Sequence, residues 1–466
     1  MREPVWARIH AADWERLRGL SRFELNIQAA TTRELERGAF QVCGLLTQEQ
    51  VADLRDEGYR IDVLKDFRER DWNAEIPTGN RFESGVDAAI FEGGHANWFN
   101  SDEILSFLRQ MKATHTDYTE LLELGRSWGE RECLAIRLRA GNWSGARPTV
   151  VFVGGIHADE WGNTEICAWL IYRLLSSYTS GQDLTLGRAK YPVSWIRAIL
   201  DKLDVVVFPL ANPDGRDYTF SDDKFWRKNR RGVDINRNFP FLWGENVDHP
   251  WSRQSTKPSH PNYIGPGPKH EPERETRNVI QLLDRFPETQ YYMDVHSAGE
   301  AVLHGWGHDD NQSDRPEMNF RDKSFSLVRG RIKNDPDADA YKEYMPLEDI
   351  RRIWKLADWM RQAIVRVRGK EYKVGQGTSL YYSTTGASDD YAYSRHFNGQ
   401  GRKIMAFTME FGEALYPEPP EMIKIIDDVN SAMVMLCCAA VAEQFPSGEL
   451  ADLGWDPEHP PGVVVS

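Results

Sequence analysis

Three side chains in this sequence have the types and spacing to hold a divalent metal. In VVFVGGIHADEWGN, Val150 to Asn163, an apolar run ends at Gly154 and Gly155, and His157 and Glu160 follow three residues apart. A buried strand that stops at the glycine pair carries both side chains to its carboxyl edge, where open α/β sheets keep their chemistry. His296 ends a second apolar run, QYYMDV, so it too leaves a strand at its carboxyl end, whereas His249, His260, His270, His308 and His459 stand in polar stretches. Two histidines and a glutamate are the donor set of catalytic zinc sites that leave a fourth position open for water. Taken alone, an HxxE pair is also compatible with a solvated loop, and residue types by themselves leave both readings open.

The elements that must position these groups are legible. PTVVFVGG, DVVVFPLA, QYYMDVHS and KIMAFTMEFG read as near-continuous apolar strands, and NTEICAWLIYRLLSSY, ERETRNVIQLLDRF and EMIKIIDDVNSAMVMLCCAAVAEQF as helices. Such strands alternating with helices predict an α/β fold with a mixed, mostly parallel sheet flanked by helices. The first seventy residues read as two strand-helix-strand units, with Thr47 and Gln50 spaced as a capping box, and predict a small ferredoxin-like α+β domain. The expected division is 1–70 for this unit, 71–100 for a polar, glycine-rich linker, 101–447 for the catalytic domain and 448–466 for a proline-rich tail. The charged stretch from Asp309 to Lys373 reads as a surface excursion carrying one helix at EDIRRIWKLADWMRQAI.

A length of 466 residues and 41% hydrophobic content allow a sizeable core, and a formal net charge of −14 with no basic stripe excludes a general nucleic-acid binder. Five scattered cysteines make no disulfide framework. No unbroken apolar run reaches the ~18 residues of a membrane span. The opening MREPVWARIHAADWERL lacks the basic start and apolar block of a signal peptide. As written the chain reads as cytoplasmic, and as secreted if a leader was removed ahead of residue 1.

Five separated motifs occur in one order: GGIHADEWG, NPDG at 212–215, FWRKNRRGVDINRNFP, MDVHSAG, and YYSTTGASDDYAY followed by FTMEFG. In this the chain resembles the zinc metallocarboxypeptidases of carboxypeptidase A and B type, the funnelins, over about residues 105 to 440. The resemblance implies one zinc per chain, bound by His157, Glu160 and His296, with Glu410 as general base. An acid within an apolar strand is costly unless used or paired, which fits that role. It further implies that Arg227 polarises the scissile carbonyl and holds its oxyanion, that Asn236 and Arg237 grip the terminal carboxylate of a peptide substrate, and that Tyr382 closes over it. Asp234 matches an acid that orients a zinc histidine. Asp389 matches the specificity position, where an acid favours a terminal Lys or Arg. The first unit resembles the family's propeptide.

The sequence departs from the family at Asp159, where many relatives carry an arginine, and in the longer stretch between His296 and Tyr382. The implied activity is a zinc-dependent carboxypeptidase. The alternatives are the same machinery acting on a non-peptide amide or N-acyl amino acid, and a non-catalytic peptide-binding protein. Every metal, base and clamp position is filled, which argues against the last.

Overall fold

Alternating strands open the chain. In the computed structural model, which describes residues 4–23, 25–92, 98–141, 145–243, 272–330, 340–444 and 453, strands β1 (Val5–Ala11), β2 (Asn26–Glu34), β3 (Phe40–Leu46) and β4 (Arg60–Asp66) form an antiparallel sheet of order β2-β3-β1-β4. Val5, Ala7, Ile9 and Ala11 share a core with Leu17 of the helix Trp14–Gly19 and with Val51 and Leu54 of the helix Gln48–Asp56. Thr47 and Gln50 form the reciprocal cap their spacing implies, at 3.1 and 2.9 Å. On the opposite face of the sheet Trp6, Cys43 and Leu45 join the core of the rest of the molecule.

The larger sheet draws on β5 (Thr119–Arg126), β6 (Glu132–Leu138) and β7 (Thr149–Val153). A short hairpin, β8 (Leu184–Leu186) and β9 (Ala189–Tyr191), precedes β10 (Asp204–Phe208), β11 (Thr289–Ser297) and β12 (Ala301–His304). The two-residue strands β13 (Asn311–Gln312) and β14 (Glu343–Tyr344) pair with each other, and β15 (Lys373–Gln376) and β16 (Met405–Phe411) complete the set. Eight of these make a mixed sheet of order β15-β12-β16-β11-β7-β10-β6-β5. Its middle, β16-β11-β7-β10, is parallel. Every residue of β7, β10 and β11 is buried, because helices cover both faces and no polar alternation is required. One face, with Val150, Phe152 and Met293, packs under the helices Asn163–Ser180, Leu347–Arg368 and Pro419–Gln444. The other, with Val151, Val153 and Tyr292, packs against Arg274–Arg285 and Ser388–Ser394. The mixed, helix-flanked sheet is the architecture expected.

Two stretches differ from expectation. The segment 71–100, read as a linker, sends Trp72, Phe82, Phe91, Trp98 and Phe99 into the main core. Trp72 and Phe91 lie in helices of four and five residues and the others in turns or irregular chain, all too short for a helical or strand period to betray them. The stretch 309–373 is not a surface excursion throughout, since its helix runs Leu347–Arg368 and buries Ile353, Leu356, Met360, Ala363, Ile364 and Val367. The helix Pro419–Gln444 is long and apolar enough to cross a membrane by composition, but it is enclosed by protein along nearly its whole length. The tail 448–466 lies outside the described residues apart from Leu453, as do His249, His260, His270 and His459.

Candidate active site

β7 ends at Val153, and the chain turns at once through Gly154 and Gly155. A β-carbon on Gly155, whose φ is +68°, would come within 2.8 Å of Leu210 Cδ1, so only glycine lets the two loops close. The loop that follows is held by Asn212 of NPDG. Its side chain caps the helix Pro213–Ser221 by accepting from the Gly215 N–H at 3.0 Å, and donates to the carbonyls of Ile156 and Lys228 at 3.3 and 3.0 Å. The Ala158 N–H donates to the Arg227 carbonyl at 3.0 Å. The loop carrying His157 and Glu160 is thereby fixed to the segment carrying Arg227.

On β11, Tyr292, Asp294 and His296 share one face by the two-residue period of a strand. In the parallel register His296 lies opposite Glu410 of β16. His296 thus arrives beside the loop ligands 136 residues after Glu160. His157 Nδ1 stands 2.7 Å from Glu160 Oε1 and His296 Nδ1 stands 2.8 Å from Glu160 Oε2. All three residues are buried, and one ligand atom from each lies within 4.8 Å of the others, a group that could hold a single metal ion. The outer nitrogens face carboxylates, with His157 Nε2 3.1 Å from Asp234 Oδ1 and His296 Nε2 2.8 Å from Asp294 Oδ2. Both nitrogens of each ring face a carboxylate, and an imidazole that donates Nε2–H to its outer carboxylate can give up its Nδ1 proton and offer Nδ1 to a metal in exchange. Two imidazoles and a carboxylate match the donor chemistry of a zinc site with an open position.

The remaining expected residues gather around this group. Arg227 donates from Nε to Asp234 Oδ2 at 3.0 Å and from Nη1 to Glu160 Oε1 at 3.1 Å. Asp234 also accepts from the Asn236 N–H at 3.0 Å, which starts the short 3-10 turn Ile235–Arg237. Arg237 donates from Nη2 to the Tyr382 hydroxyl at 2.8 Å, and its guanidinium carbon lies 5.8 Å from that ring. Tyr382 also packs on the apolar core of the N-terminal unit. Gly386 allows the approach of this segment, since a β-carbon there would meet the Arg237 carbonyl at 2.3 Å. Asp389 is the second residue of the helix Ser388–Ser394, within electrostatic reach of Asp294 and His296, and forms no ion pair with a protein cation among the described residues. Burial pushes its carboxyl up, with Asp294 adding repulsion.

Electrostatics set Glu160 apart from Glu410. Burial works against the charged form of Glu160, but His157 and His296 outweigh it and hold the carboxyl well below the usual range. Burial, then repulsion from Glu160, pushes Glu410 up to about 8, and its Oε2 is buried without a hydrogen-bond partner. Asp159 is likewise pushed up to about 8 by burial, with Arg227 opposing. Sequence reasoning missed Asp294 and Ser388. The signal for Asp294 was available: an acid two residues before a strand-end histidine shares its face.

Residues 104–432 match the family model described as zinc carboxypeptidase. Metallocarboxypeptidase A of Trichophyton tonsurans is 26% identical over 319 residues, covering 65% of this chain and 63% of that protein. The match thus spans under two thirds of that fungal relative's own length. Carboxypeptidase B of Astacus astacus is 27% identical over 325 residues, covering 67% of this chain and 86% of the relative. Among solved structures, thrombin activatable fibrinolysis inhibitor superposes with a TM-score of 0.69 at 18% identity, over 94% of this chain and 99% of that one. Carboxypeptidase A from Helicoverpa armigera gives 0.67 at 18%, over 95% and 98%. These two likenesses are of fold.

Proposed function

The chain belongs to the zinc carboxypeptidase family, and we propose that it is a zinc-dependent exopeptidase that hydrolyses the last peptide bond of peptides bearing a free terminal carboxylate. The observation that carries this reading is the convergence of His157, Glu160 and His296 beside Glu410, with Arg237 and Tyr382 joined next to them. A zinc ion held by the three would supply Lewis acidity, polarising the scissile carbonyl and lowering the pKa of an attacking water. Glu410 takes that water's proton and passes it to the departing amine, a transfer suited to a carboxyl with pKa near the working pH. Arg227, fixed by Asp234 and Glu160, presents positive charge where the carbonyl oxygen gains negative charge. Arg237, Asn236 and Tyr382 grip the substrate carboxylate, which limits cleavage to the terminal bond.

Asp389 favours Lys or Arg as the released residue. Its buried carboxylate sits near Asp294 with no cationic partner from the described protein, so a basic substrate side chain removes a standing repulsion. The reading is tested with paired peptides that differ only in a free or amidated carboxyl terminus, before and after phenanthroline treatment and zinc restoration. Cleavage confined to the free-acid peptide, lost on chelation and regained with zinc, is expected. Equal cleavage of the amidated peptide, or activity that survives metal removal, rules the reading out.

A further inference from the structure

Asp294 occupies a place no metal ligand requires and carries chemistry that one can use. It is fully buried on β11, and its Oδ2 takes two contacts: His296 Nε2 at 2.8 Å and the Ser388 hydroxyl, which donates at 2.5 Å. A second neighbour competes for the same ring nitrogen, because Asn236 Nδ2 stands 3.3 Å from His296 Nε2. The two neighbours demand opposite tautomers. An amide N–H can donate only to a bare Nε2, which puts the proton on Nδ1, where it points at Glu160. A carboxylate accepts from Nε2–H, which leaves Nδ1 bare and able to bind a metal. Asn236 is itself held in place, its Oδ1 accepting the Ser388 N–H at 2.8 Å.

We propose that Asp294 is the positioning residue of His296, selecting the metal-binding tautomer against Asn236, and that Ser388 fixes Asp294 for this purpose. Resting on the reading of the site as a zinc centre, this gives the protein a carboxylate behind each ligand histidine, Asp234 behind His157 and Asp294 behind His296. It also ties the second ligand to the first residue of the helix whose next residue is Asp389. A buried carboxylate whose other oxygen, Oδ1, has no hydrogen-bond partner is costly to keep. The metal-binding state of His296 is what that cost secures.

The test is zinc affinity, measured by competition with a chromophoric chelator on the full chain, together with the visible spectrum of the cobalt-substituted protein. Asp294→Asn keeps the shape, removes the charge and is expected to weaken zinc binding by about 10- to 100-fold and to change the cobalt spectrum, a readout a merely structural acid would not move. Affinity within twofold of the parent, with an unchanged spectrum, overturns the proposal. Should Asp294→Asn fail to fold, Ser388→Ala takes its place: it removes one donor to Asp294 and is expected to weaken zinc by about threefold, a fraction of one hydrogen bond to a charged group. Unaltered affinity there overturns the chain from Ser388 to His296. A parent protein that binds no stoichiometric zinc counts against the zinc reading itself, and is distinguished by being measured first.

Discussion

Replacing Glu410 by glutamine keeps the size and shape of the side chain while removing its charge and its capacity to take a proton. Glu410 is opposite His296 across the β11–β16 ladder but is not among the three grouped donors, so zinc content is expected to stay near one per chain. The proton-carrier role proposed for it predicts a contribution of about 10²–10⁴ in rate, equivalent to about 3–5 kcal/mol of barrier. The loss is expected in kcat, with KM little changed, because on the proposed reading Arg237, Asn236 and Tyr382 grip the substrate carboxylate and Glu410 does not. The zinc-free protein adds a second expectation of opposite sign. In the native state Glu410 is pushed up to about 8 by burial and by Glu160, with one oxygen unpartnered. An acid with a raised folded pKa destabilises the fold increasingly as pH rises above its unfolded value and most fully above about 8. The zinc-free glutamine variant is therefore expected to melt no lower than its parent at neutral pH and higher at alkaline pH. Stopped-time hydrolysis of a chromogenic acyl-dipeptide, metal analysis and thermal melting across pH measure all three. Turnover within tenfold of the parent would refute the reasoning, as would a variant that loses its zinc.

Asp389→Ala is expected to lower the ratio of kcat/KM for terminal Lys over terminal Leu by about 30- to 100-fold, which corresponds to a partly screened charge pair near 4 Å; an unchanged ranking of substrates removes Asp389 from specificity. Arg237→Lys keeps the charge but not the planar fork, and a loss of about 10- to 100-fold in kcat/KM, mostly in KM, is expected from one charge-assisted bond. A variant indistinguishable in KM shows that Arg237 does not hold the substrate. Trp72→Ala removes a buried ring that lies 5.3 Å from Trp161, the neighbour of Glu160, and is expected to cost about 3–5 kcal/mol in urea unfolding. A cost below about 1 kcal/mol would mean the segment 71–100 is only draped on the core.

What the sequence disclosed and what it concealed divide by period. β7, β10, β11 and β16 are continuous apolar runs bounded by turns, and the residue at each carboxyl end therefore stands out, as His296 does after QYYMDV. His157, Glu160 and His296 come together because parallel strands place their carboxyl ends on one edge whatever the separation in sequence. The segment 71–100 has no period to find. Trp72, Phe82, Phe91, Trp98 and Phe99 are buried from single-turn helices and irregular chain, and polar residues between them give a composition indistinguishable from that of a loop. The helix at EDIRRIWKLADWMRQAI was legible but its burial was not: its charged outer face dominated the composition, while the stripe through Ile353, Leu356, Met360 and Ile364 that faces the core is spaced as a helix requires. Asp294 was passed over because a motif ending in histidine draws attention forward, away from the acid that shares its face.

The charges of the site argue for a cation on grounds independent of any motif. Asp159, Glu160, Asp234, Asp294 and Asp389 are all less than a tenth exposed, and Glu410 adds a sixth carboxyl beside them. Asp234 is met by Arg227 and by the Asn236 N–H, and Glu160 by Arg227 and the Ser297 N–H at 3.1 Å. Arg237 is turned to Tyr382. Burial and neighbouring acids drive Asp159, Asp389 and Glu410 toward the neutral form, Asp159 and Glu410 to about 8. Like charges gathered in a low dielectric either take up protons or gather round a positive ion. Glu160 lies among the repelling groups of both Asp159 and Glu410. A divalent ion bound at Glu160 therefore relieves both, drawing Glu410 from proton carrier at rest to ionised base in the loaded site. A loss of stability of the zinc-free protein at alkaline pH and the readiness of Glu410 to accept a proton are both expected from this one arrangement of charge.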